Sequence, residues 1–386
     1  MPTYRTPGVY INEITEGPPP ITGVATAIAA FVDVFAQGPL QQPVRINSHA
    51  EFETTFGTTL NNSPASPSSQ GIRYFFANGG RTAWVVRIPG SIASAVEVIG
   101  SADARSGLHA LDGVDLFNIL CLPCAVELPD ADMQALYTAA LDSCTARRAF
   151  LIIDIPATVA TPTAMLDWLA QHATLRQRNA AVYFPRLTLQ PRRLNKRMPT
   201  VAASGVIAGL YARIDATRGV WKAPAGKEAD LRGIYGLACA LKETDIDTFQ
   251  AAGVNVLRNL ESGMPVCWGA RTLTNTDPEW KYIPVRRLAL HIETCLEHDL
   301  VWAVFELNGE QLWQKVRRVV ENFLAQLFRQ GALAGTLPDQ AYFVRADRTT
   351  MTQDDIDHGR LNLLVGFAPL KPAEFVMVRI QLQLGA

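Results

Sequence analysis

Three continuous apolar runs constrain this chain most: residues 116–122 (LFNILCL), 149–154 (AFLIID) and 180–185 (AAVYFP). None alternates apolar with polar, and at six or seven residues each has the length of a strand covered on both faces. Helical stretches at 130–147 and 162–178 separate them, and a further helix reads over 200–215. Run, helix, run is the pattern of a parallel sheet with helices on both sides. The expected fold class is therefore α/β for the middle, 91–265, within an α/β and α+β multidomain chain.

The flanks read differently. Before the middle, 21–34 is small and apolar, 44–46 is a short strand, 50–56 a short helix ending at Gly57, and 61–69 (NNSPASPSS) a loop by composition. A helix over 71–78 and a buried strand over 83–88 close this portion, 21–90. After the middle, helices read over 281–299 and 309–330. In the second, Leu312, Val316, Val319, Phe323, Leu324 and Leu327 form an apolar stripe, with Lys315, Arg318, Asn322 and Arg329 elsewhere on the circumference. Strands at 340–345 and 362–368 complete a C-terminal portion, 266–370.

Each end carries an extended segment. In the arm 1–20, Val9 and Ile11 alternate with Tyr10 and Asn12, and Gly17-Pro18-Pro19-Pro20 follows at once. Consecutive prolines have fixed φ and no amide hydrogen, so they extend the chain and exclude a local hairpin. The arm must pair with a distant segment or with another molecule. The extension 371–386 is its counterpart: Val378, Ile380, Leu382 and Leu384 alternate with Arg379, Gln381 and Gln383.

Composition excludes some partners. Of 386 residues, 48% are hydrophobic and 18% charged, and 35 Lys and Arg against 36 Asp and Glu leave a net charge of −1. No global field points to nucleic acid or to an anionic membrane. No basic leader with an apolar core begins the chain, and no run nears the roughly 18 apolar residues of a membrane span. Synthesis in the cytoplasm without a signal peptide, and no membrane contact, are the expectations. Six cysteines, mostly within apolar stretches, fit reduced core thiols.

A search for chemistry finds little. Cys121-Leu122-Pro123-Cys124 has thiol-pair spacing, but its first cysteine completes an apolar strand and no second pair or histidine cluster supplies further metal ligands. His291 and His298 read as surface or interface residues. Gly226-Lys227 fails as a phosphate loop because Gly219 is at the wrong distance and Glu228 replaces the hydroxyl residue. Asp154 ends a central strand where an α/β hydrolase would place an acid, yet no G-x-S-x-G elbow or partner histidine motif accompanies it, so helix capping is expected. The arginine pairs lack interleaved aromatics for base stacking. No catalytic residue, cofactor or metal site is expected.

The motifs "TPGVYINEI", "ITGVATAIAAFV", "EFETTFG" and "YFFANGGRTAWVVRI", then "DPEWKYIPVRRL", "VFELNGEQLWQKVRRVVENFLAQLFRQGAL", "AYFVRAD" and "VGFAPLKPAEFV", resemble in that order the tail sheath proteins of contractile phages and phage-tail-like injection systems. The middle resembles them more loosely. The resemblance implies a non-enzymatic subunit of stacked hexameric rings around an inner tube, held metastable when extended and contracting to drive the tube through an envelope. Its implied partners are copies of itself, the inner tube protein, baseplate and terminal cap proteins, and sister sheath proteins. It implies a virion or tail-like particle that is intracellular until release.

The resemblance further implies a subtilisin-like middle domain without the catalytic triad, and a core joined from the N- and C-terminal portions. It makes Val9, Tyr10, Ile11 and Asn12, with Val378, Ile380, Leu382 and Leu384, strands donated between subunits. Lys315, Arg318, Asn322 and Arg329 are candidates to face the tube. The alternatives are another structural component of the same particle, or an α/β hydrolase.

Overall fold

The computed structural model describes residues 18–57, 66–90, 92, 94–190, 199–274, 277–304 and 306–372. Val9, Tyr10, Ile11 and Asn12 of the arm, and Val378, Ile380, Leu382 and Leu384 of the terminal strand, lie outside them. Two compact units emerge, one holding Val24–Thr294 with 369–372, the other 18–23 with Cys295–Ala368.

In the larger unit the elements run β1 (Ala29–Asp33), β2 (Pro43–Ile46), α1 (His49–Phe56), α2 (Pro67–Asn78), β3 (Ala83–Arg87), α3 (Ala95–Ile99), β4 (Ile119–Cys121), α4 (Asp130–Ala146), β5 (Phe150–Ile153), α5 (Pro162–Gln171) and β6 (Ala180–Phe184). There follow β7 (Leu187–Thr188), β8 (Thr200–Val201), α6 (Ser204–Arg218), β9 (Gly236–Leu237), α7 (Glu243–Ala252), β10 (Val254–Asn259), β11 (Pro265–Cys267) and α8 (Ile283–Asp299), within which the division between units falls. Eight strands make one sheet in the order β11-β10-β6-β5-β4-β1-β3-β2, and β8-β7-β9 make a small second one.

The six inner strands are parallel, and only the edge strands β2 and β11 run antiparallel. The apolar runs now have their explanation. Ala30, Val32, Leu120, Leu151, Ile153, Val182 and Phe184 point to the side covered by α4, α5 and α7. Ala29, Phe31, Ile119, Cys121, Phe150, Ile152, Ala181 and Tyr183 point to the side covered by α1, α2 and α6. Successive side chains enter opposite cores, so every position must be apolar. Each large side chain so buried contributes about 1.5–3 kcal/mol relative to exposure.

β1 lies hydrogen-bonded between β3 and β4, so residues 29–87 share one sheet with 119–267 and position 90 lies on a connection inside it. The sequence AAFVD buried on both faces requires such neighbours. Some boundaries shift from those expected. Helix α2 begins at Pro67 because the Ser66 hydroxyl accepts from the Ser69 amide at 3.1 Å and proline suits the first turn. Helix α5 stops at Gln171, and α7 and β10 carry no long apolar run that announces them.

Two features tighten this unit. A Cβ on Gly205 would lie 2.2 Å from the Gly71 carbonyl oxygen, and one on Gly209 2.3 Å from that of Phe75, so α6 presses against the backbone of α2 where only glycine fits. The Arg287 guanidinium donates to both Asp215 carboxylate oxygens, at 3.0 and 2.7 Å, and to the Thr26 carbonyl, while lying over the Tyr211 ring. Both charges are nearly fully buried.

The smaller unit is built on α9 (Glu310–Arg329), followed by α10 (Pro338–Ala341), β12 (Tyr342–Arg345), α11 (Gln353–Asp357) and β13 (Leu364–Phe367). The two strands pair antiparallel as a separate sheet, Phe343 opposite Gly366, and α9 packs against β12. The start of the expected strand 340–345 is taken by α10, which Pro338 opens. No helix of the described residues is long and apolar enough to cross a membrane.

Candidate assembly surfaces

Helix α9 buries Leu312, Trp313, Val316, Val319, Val320, Phe323, Leu324 and Leu327. These recur at spacings of three and four, giving one apolar side. Lys315, Arg318, Asn322 and Arg329 are all exposed. At 100° per residue they fall within about 60° of one another, and Gln311 and Gln326 extend the same row. The row holds three cations and no acid. None of the three has an ion-pair partner among the described residues; the nearby Arg317–Glu321 pair, at 3.6 Å, lies to one side. Glu310 in the first turn and Arg329 in the last complement the helix dipole.

The β12–β13 sheet was not legible as a surface from sequence, although both strands were. Val344 is buried while Phe343 and Arg345 are exposed, so β12 buries one side only. Each strand has one neighbour among the described residues, leaving an outer edge on both. Gly366 permits Phe343 to lie over the neighbouring strand, since a Cβ there would be 2.2 Å from the ring.

The interior holds the titratable groups that chemistry would use, and each has a structural task. Asp33 ends β1, and its carboxylate accepts from the Val34 amide at 2.6 Å and from Ser68 in the first turn of α2 at 3.2 Å. Burial pushes its pKa up to about 6. Asp154 follows β5 and accepts from the Ser204 amide at the start of α6 at 2.8 Å, so it caps that helix. Burial raises its pKa too, against the Ser204 hydrogen bonds and the Arg186 charge.

Cys121 and Cys124 are buried free thiols, pushed well up by burial, which is the opposite of a reactive pair. All six cysteines are free. Burial lowers His291 to about 4, so it is neutral at pH 7, whereas His298 is exposed and pairs with Asp299 at 2.7 Å. The described residues contain no cluster of three His, Cys, Asp or Glu able to hold a metal.

Family comparisons decide the reading of this fold. Residues 97–273 match the phage tail sheath protein central domain, and residues 275–383 match the phage tail sheath C-terminal domain. The chain belongs to the tail sheath family. Its likeness to a putative prophage major tail sheath protein of Pseudomonas aeruginosa is 25% identity over 97% of this chain and 95% of that one. The tail sheath protein of phage T4 is also 25% identical, but the match spans 47% of this sheath chain and 27% of that one.

Solved structures agree. The sheath of the extracellular contractile injection system PVC, in its contracted state, is 28% identical with a TM-score of 0.78 over 100% of this chain and 99% of that chain. The anti-feeding prophage baseplate structure contains a chain 29% identical, TM-score 0.76, covering 99% of this one and 100% of that one. This sheath chain is thus a contractile sheath subunit of a phage or phage-like injection system.

Proposed function

We propose that the chain stacks as hexameric rings around an inner tube, joins a baseplate, and contracts to drive the tube through a target envelope. The observation that carries this is the end-to-end likeness to a contracted injection-system sheath. The chain acts without catalysis, consistent with Asp154 serving as a helix cap. Contraction is a passage from a metastable extended lattice to one with more buried contact, and that difference in free energy does the work.

The rings stay joined by donated strands. The segment Val9, Tyr10, Ile11, Asn12 and the segment Val378, Ile380, Leu382, Leu384 have the alternation of such strands, and the outer edges of β12–β13 offer places for them. A donated strand forms roughly four to six backbone hydrogen bonds at about 1 kcal/mol net each. One link is moderate; repetition through the lattice makes it strong. The α9 row of Lys315, Arg318, Asn322 and Arg329 faces the tube, where cations meet a complementary surface. The subunit assembles inside the cell and leaves it within the particle.

Electron microscopy of the chain expressed alone tests the assembly: long hollow cylinders are expected, and a monodisperse monomer would overturn the reading. A chain starting at Gly17 should fold but form no cylinders, whereas normal cylinders from it would refute strand donation.

A further inference from the structure

Two apolar surfaces of the smaller unit are left uncovered among the described residues. The first is the turn that follows α8, where Val301 is 64%, Val304 57% and Leu307 91% exposed. A short 3₁₀ turn, Val301–Ala303, opens it, and the exposed acid Glu306 stands beside Leu307. The second is the outer side of β12–β13, where Phe343 is 47% and Leu364 48% exposed. Arg345 lies on this side with its guanidinium 5.3 Å from the Phe343 ring centre. The register sets Arg345 opposite Leu364 and Phe343 opposite Gly366, so the four positions share one face.

We infer that Val301, Val304 and Leu307 of one copy dock on the Phe343–Leu364 face of another copy, with Glu306 meeting Arg345. The inference rests on the self-assembly proposed above. Aliphatic side chains at three-residue spacing match a flat aromatic and leucine platform, and a single acid matches a single cation. Glu306 and Arg345 each lack an ion-pair partner within 4 Å among the described residues; the Arg345 charge acts on Asp347 only through space. Exposed apolar groups gathered in this way mark contact surfaces. Made head to tail, this contact between two different surfaces is heterologous, and its repetition generates a ring or an open helix, which is the geometry a sheath needs; a reciprocal pair would stop at a dimer. It is separate from strand donation, which uses the edges of the same sheet and not its face.

The test is assembly of the full chain, followed by sedimentation and electron microscopy. Glu306→Arg, Arg345→Glu and Leu307→Asp should each raise the protein concentration needed for cylinders by about tenfold. Their melting curves should match the unaltered chain, because all three positions are exposed. Combining Glu306→Arg with Arg345→Glu should bring assembly back to within about threefold of the unaltered chain. As a second readout, Leu307→Cys together with Leu364→Cys should give a ladder of disulfide-linked multimers on oxidation of assembled material. Cylinders from the unaltered chain with indifferent variants, or reversals that the double change does not rescue, would overturn this contact alone. An unaltered chain that forms no cylinders would overturn the assembly reading and this contact with it.

Discussion

At Gly205 the absence of a side chain is a packing requirement. A Cβ there meets the Gly71 carbonyl oxygen at 2.2 Å, a backbone atom that cannot rotate away. Gly205→Ala should destabilise the larger unit by about 1–3 kcal/mol through overpacking, read from urea denaturation, while an equal midpoint would show that the helices can part without cost. Asp33 sets a pH dependence of definite sign. Its folded pKa of about 6 exceeds the ordinary 3.8, so the folded state holds the proton more tightly. Its contribution is present in full below pH 3.8 and is lost as pH rises through 6. The fall is on the order of 2–3 kcal/mol, from roughly two pKa units at 1.36 kcal/mol each. Thermal melting should show Asp33→Asn flattening the decline between pH 4 and 7; an unchanged slope would assign the decline to other groups.

At the scale of elements, α9 divides its labour around its axis. Its apolar side anchors the smaller unit, and its row of Lys315, Arg318 and Arg329 carries charge that the described residues leave unpaired. Lys315→Glu with Arg318→Glu should leave the melting temperature within a degree or two, since exposed substitutions rarely exceed about 0.5 kcal/mol. Binding to purified tube should fall at least tenfold at low salt, and the unaltered chain should lose affinity as salt rises. Binding indifferent to both changes would remove α9 from the tube contact. Sequence periodicity exposed this helix and six of its eight buried positions, missing Trp313 and Val320, because spacings of three and four are a local signal. The outer face of β12–β13 was hidden, because Phe343 and Leu364 become neighbours only through a register between strands some twenty residues apart.

For the whole molecule, the α/β class was readable from runs such as AFLIID, whose uninterrupted apolarity and length fit a strand covered on both faces. Where the first strands would sit was not readable. Nothing local in AAFVD says that it enters the sheet between β3 and β4, for that follows from which edges remain open once the middle strands have paired. The assembly was legible chiefly through the ordered motifs at both ends. The alternation around Tyr10 and Val378 is a sequence pattern of strands, and nothing local in it names a partner.

The two outer strands of the eight-stranded sheet are β2, four residues beginning with Pro43, and β11, three residues beginning with Pro265, whose outer side is already bonded by the Leu231 amide to the Pro265 carbonyl and by the Cys267 amide to the Ala229 carbonyl. Proline has no amide hydrogen to offer an incoming strand, and a ladder so short gives it little to grip. The small β12–β13 sheet has no proline in either strand. The large sheet is therefore blunt at its edges, while the edges of the small one carry no such block. Edge-to-edge pairing through the large sheet is discouraged at both of its ends.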